Sequence, residues 1–107
     1  MKFKVFIVAD AEEDLFEIYT YIATSDSKNK ADHVLEKLEA ACQSLSDLAH
    51  RGHVPPELER ISIHDYKEIH YKTYRILYQI IESNVFVHCV LDGRKDLQDI
   101  LQERLLR

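Results

Sequence analysis

Glycine, proline and cysteine are scarce in this chain: there are two of each among 107 residues, one methionine and no tryptophan. With only Gly52 and Gly93 available, the chain cannot build the glycine-rich loops that cradle nucleotide phosphates, and it has no GxSxG nucleophile turn. Cys42 and Cys89 are too few for a disulfide framework; with no secretory signal they are expected to be free thiols acting as small hydrophobes. No stretch of eighteen uninterrupted apolar residues exists, and the opening KFKVFIVAD is too short for a leader and lacks a small-residue cleavage site. A cytoplasmic protein is therefore expected. Positive charge is also in deficit. The net charge of -5 argues against the simplest nucleic-acid reading, because phosphate binding usually shows as a basic domain.

What is present is ordinary globular material, 46% hydrophobic and 31% charged, of a length suited to one domain spanning 1–107. The charge is unevenly placed. Residues 1–65 carry 7 Lys and Arg against 13 Asp and Glu, whereas residues 66–107 carry 7 against 6. An acidic half and a near-neutral half with clustered arginines suit two different partners.

KFKVFIV alternates about Phe3, Val5 and Ile7, which predicts a strand over 2–8. Asp10 and Glu13 have the spacing of a capping box, and Ala11, Leu15, Ile18, Tyr19 and Ile22 recur at helical intervals, predicting a helix over about 10–24. After the polar run TSDSKNK, a second stripe of Ala31, Val34, Leu35, Leu38, Ala41, Cys42, Leu45 and Leu48 predicts a partner helix, so the two form a hairpin. The segment HRGHVPPELERI reads as a connecting loop. Three strand-like runs follow, DYKEIHY, TYRILYQII and VFVHCVL, and then a helix from DGRKDL onward with Leu97, Ile100, Leu101 and Leu105 on one face. The order β-α-α-β-β-β-α implies an α+β fold: a small, mainly antiparallel sheet with the helical hairpin on one face.

The chemistry-bearing residues cluster late. In YRILYQI, Arg75, Leu77 and Gln79 share a face opposite Tyr74, Ile76, Tyr78 and Ile80. The hairpin should cover the more apolar face, leaving Arg75 and Gln79 on an open one. Arg75 then has two readings: a cross-strand pair with a carboxylate such as Glu68, or a planar fork for phosphate or carboxylate recognition. Arg94 and Lys95 follow the Asp92-Gly93 turn ahead of the last helix, where an anion is favoured. With Lys67 and Lys72 nearby, these cations are expected to converge on one cleft, a solvated charge run being the alternative. The six histidines show no metal-ligand spacing, so neither metal nor cofactor is expected.

Taken in order, DLFEIYTYIA, RGHVPPEL, YKEIHYKTYRILYQI and VLDGRKDLQDILQERLL resemble the RelE/ParE superfamily of toxins from bacterial type II toxin-antitoxin pairs, and the ParE-like branch in particular. The resemblance implies a toxin held inactive by a cognate antitoxin. Exposed apolar grooves between the hairpin and the sheet edge suit an amphipathic helix or added strand from that partner, which is expected on the hairpin at Leu15, Ile18, Ile22, Leu35 and Leu38. It also implies one of two targets: DNA gyrase, which is poisoned, or ribosome-bound mRNA, which is cleaved. For the ribonuclease alternative the matching residues are Lys67, Arg75, Arg94 and Lys95. Glu68 and Ile69 stand where a second lysine belongs, and Leu101 stands where the family pattern has a tyrosine. RNA cleavage needs a base for the 2′-hydroxyl proton and cations for the phosphorane. The missing base and acidic balance favour a gyrase-directed toxin without catalytic turnover, with Arg75, Arg94 and Lys95 as target-binding residues. An inactive relative that only binds antitoxin is the third reading.

Overall fold

The computed structural model describes residues 2–105. Strand β1 (Lys4–Ile7) leads into α1 (Ala9–Ser25) and α2 (Lys28–Gln43), followed by a short 3-10 turn, a one-turn helix α3 (Pro56–Glu59), strands β2 (Lys67–Tyr71), β3 (Tyr74–Ile81) and β4 (Asn84–Asp92), and helix α4 (Leu97–Leu105). The predicted α+β order stands. The sheet order is β1-β4-β3-β2, with β1 parallel to β4 and the other neighbours antiparallel.

Local chemistry explains the hairpin. Ser27 caps α2 by accepting a hydrogen bond from the Lys30 amide. The capping box expected at Asp10 and Glu13 does not form. Val8 occupies the N-cap position without a side-chain cap, and Asp10 lies inside the first turn. There its negative charge complements the helix dipole.

The apolar stripes of α1 and α2 meet β-sheet residues in one core, which includes Leu15, Val34, Leu38, Cys42, Ile76, Tyr78, Val85 and Val87. Tyr78 is wholly buried, so its hydroxyl needs partners; it donates to the Ala49 carbonyl at 2.7 Å and accepts from the Gly52 amide at 3.1 Å. Gly52 permits that approach, since a Cβ there would stand 2.5 Å from the Tyr78 hydroxyl.

The opposite sheet face is not simply open. Leu77, Cys89 and Leu91 pack with Leu58 of α3 and with Leu97 and Leu101 of α4 in a second core. A bulge makes this possible. Leu77 pairs with Cys89 but Tyr78 with Val87, so His88 is an extra residue in β4. Val87 and Val90 therefore both serve the hairpin core, while Cys89 and Leu91 serve the other. Elsewhere on this face Phe6, 45% exposed, stacks on Phe86. No helix among the described residues is long and apolar enough to cross a membrane.

Candidate functional site

Arg75 projects from β3 onto the second face, but α3 closes over it, correcting the expectation of an open-face arginine. Its Nε donates to Glu68 Oε1 at 2.7 Å and one Nη to Glu68 Oε2 at 2.9 Å. The remaining edge of the guanidinium forms a second fork with both oxygens of Glu57, from α3. Only 15% of the Arg75 side chain and 1% of the Glu68 side chain are accessible. Of its two sequence readings, the carboxylate pair is the one adopted, and it is doubled. A guanidinium with all its edges so engaged has no fork left for an incoming phosphate.

The electrostatics follow from these contacts. Hydrogen bonds from Arg75 hold the Glu57 carboxyl down at about 2, and the same bonds raise the Arg75 guanidinium above its ordinary range. Burial works against ionisation of Glu68, but hydrogen bonds from Arg75 and His70 outweigh it, so that carboxyl too is lowered. Groups depressed on folding contribute stability that is complete above the unfolded value, here 4.5, and vanishes as pH falls through the folded one. Urea unfolding is expected to show stability falling between pH 4.5 and about 2, with Glu57→Gln flattening part of that slope. An unchanged slope in the variant would deny the clamp this role.

Arg94 and Lys95 stand elsewhere. They line a cleft of about 830 Å³ whose other wall is α1, with Asp10, Glu13, Asp14 and Glu17, and whose floor includes Tyr74, Val90 and Asp92. Arg75 does not line it, so the expected convergence of Arg75 with Arg94 and Lys95 on one cleft does not occur. The reason is strand parity: the Arg75 side chain turns toward α3, and the Asp92-Gly93 turn carries the later cations to the α1 side. Lys67 is separated as well, since it pairs opposite Tyr78 and so shares the hairpin face rather than that of Arg75. Lys72 lies in the β2–β3 turn with its amine near the Tyr71 ring.

Within the cleft Arg94 is bound back to its own turn, its guanidinium donating to both Asp92 oxygens, yet 85% of its side chain is exposed. Arg104 of α4 forms a fork with Asp14 and also reaches the His88 carbonyl, while Asp14 accepts from the Val90 amide at 3.0 Å. Asp14 and Arg104 were not picked out from the sequence, because their partners lie 90 positions apart. They tie α4 to α1 and β4 at the cleft's base. Carboxylates outnumber cations along this lining, which makes it electrostatically unfavourable to phosphate.

The hairpin residues expected at an antitoxin surface divide by burial. Leu15, Ile22 and Leu38 belong to the core, Leu38 with no exposure, while Ile18 and Leu35 are half-buried. Leu15 and Leu35 also line a shallow apolar groove with Ile7, Phe16 and Tyr19, where Phe16 is 69% exposed. Both thiols are buried and free, and burial pushes each up to about 11, leaving them unreactive at neutral pH. One further group comes together unannounced: His53 from the loop and His70 from β2 converge on Glu68.

A four-stranded mixed sheet with a helical hairpin on one face defines a small α+β fold shared with solved toxin-antitoxin structures. The chromosomal ParDE system from P. aeruginosa matches with a TM-score of 0.70 and 12% identity over 83% of this chain and 94% of that one. The toxin-antitoxin complex RelBE2 from Mycobacterium tuberculosis matches with a TM-score of 0.63 and 17% identity, over 86% and 92%. At such identities the likeness establishes fold. No curated protein matches in sequence. The family described as ParE toxin of type II toxin-antitoxin system, parDE, matches residues 5–97, and the chain belongs to that family.

Proposed function

We propose that this ParE-family toxin acts by binding and inhibiting DNA gyrase, without catalytic turnover, and is neutralised by a cognate antitoxin. The observation that carries the reading is the Arg75 clamp. The strand arginine that a ribonuclease of this superfamily would turn toward a scissile phosphate is spent between Glu57 and Glu68. Leu101, at the position where such an enzyme has a tyrosine, is 6% exposed and packs in the second core. Among the described residues, neither a base at the Leu101 position nor free cations beside Arg75 are therefore assembled as a phosphorane would need.

Arg94 and Lys95 at the cleft mouth, together with its acidic α1 wall, offer a surface of mixed charge suited to a protein target. The antitoxin's place is the apolar groove beside Phe16 and Leu35, which fits an amphipathic segment. The two solved structures named above are toxin-antitoxin systems, which supports such a partner. Expression without antitoxin is expected to arrest growth and induce the DNA-damage response while cellular mRNA stays intact. Codon-phased mRNA cuts would establish the ribosome-directed alternative instead, and no toxicity from a folded chain would mark an inactive relative.

A further inference from the structure

We propose that His53, His70 and Glu68 form a binding site for one divalent transition-metal ion of the zinc class. The ligating atoms of all three lie within 4.8 Å of one another. His70 Nε2 stands 2.8 Å from Glu68 Oε1 and His53 Nε2 3.4 Å from Glu68 Oε2, with the two rings edge to face at 5.5 Å. Two imidazoles and a carboxylate suit zinc and its neighbours, and three protein donors leave positions for water.

The cluster has the features of a prepared site rather than a chance surface pair. Its carboxylate is 99% buried yet directed at two half-exposed histidines. Its orientation is fixed by Arg75, which occupies one lone pair on each oxygen and leaves the others toward the rings. The clamp sets one arginine against two carboxylates, so it carries one excess negative charge that a cation would offset. Main-chain hydrogen bonds in both directions between His53 and Glu68 hold the loop against β2, so the ligands are assembled in the fold. The ion would sit between the two Nε2 atoms and Glu68, displacing any proton held there. Its consequence would be to pin the 50–55 loop to the edge strand of the sheet.

The test is calorimetric titration of the tag-free, chelator-treated full chain with zinc sulfate, and with magnesium sulfate in parallel. Zinc is expected to bind one to one and raise the melting temperature; magnesium, which prefers all-oxygen ligation, is not. His53→Gln and His70→Gln should each weaken zinc by about tenfold or more, and His33→Gln, on the exposed surface of α2, should not. Zinc should also shift the ring resonances of His53 and His70 in the unaltered chain, a readout independent of how the variants fold. Absence of one-to-one binding, undiminished zinc affinity in both His53→Gln and His70→Gln, or shifts confined to other histidines would each overturn the site.

Discussion

Arg75→Ala is expected to destabilise the protein by about 3 to 5 kcal/mol, the cost of stranding a buried charge when its partner is removed. Glu68 would lose two of its hydrogen bonds while remaining out of water, and Glu57 would lose the bonds that hold α3 over the sheet. For a domain of this size the melting temperature should fall by roughly 15 °C or more. Arg75→Lys should recover only part of the loss, because an ammonium cannot reproduce two forks at once. Thermal melts of the purified variants decide the matter. A melting temperature within a few degrees of the parent, on the order expected for exposed charges, would return Arg75 to the surface as a free recognition group. Any loss of toxicity in Arg75→Ala is expected to track this destabilisation and to recover at lower temperature.

The Arg94→Ala, Lys95→Ala double variant should behave oppositely. Both residues are exposed, and the Arg94 guanidinium is hydrogen-bonded to Asp92 of its own turn, so melting should change little. Toxicity on expression without antitoxin should be abolished if, as proposed, these two exposed cations of the cleft engage the target. Growth assays paired with melts of the antitoxin complex provide the measurement. Full toxicity in the double variant would remove this patch from the mechanism.

The contrast between these two sites marks what sequence can and cannot give. The hairpin was readable because 3.6-residue periodicity over sixteen or more residues leaves little ambiguity, and the three late strands because β-rich runs end at short turns. α3 was missed: a single helical turn, PELE, carries no periodic signal, and it lay in a proline-marked loop. Glu57 went with it. From sequence, Arg75 therefore had a carboxylate candidate in Glu68 but no evident means of being fully saturated. The bulge opposite Leu77 and Tyr78 was likewise silent, because alternation breaks by one residue without any glycine or proline to mark it. His53 and His70 illustrate the same limit, since only the bridge between loop and edge strand brings residues seventeen positions apart onto one carboxylate.

Purified components test the proposed inhibition of gyrase, without nuclease chemistry, most directly. Gyrase should lose ATP-driven supercoiling activity as the toxin is titrated in, with cleaved DNA complexes accumulating, and stoichiometric antitoxin should restore the activity. The Arg94, Lys95 double variant should leave supercoiling intact. Undiminished supercoiling at saturating concentrations of folded, unmodified toxin would contradict the account.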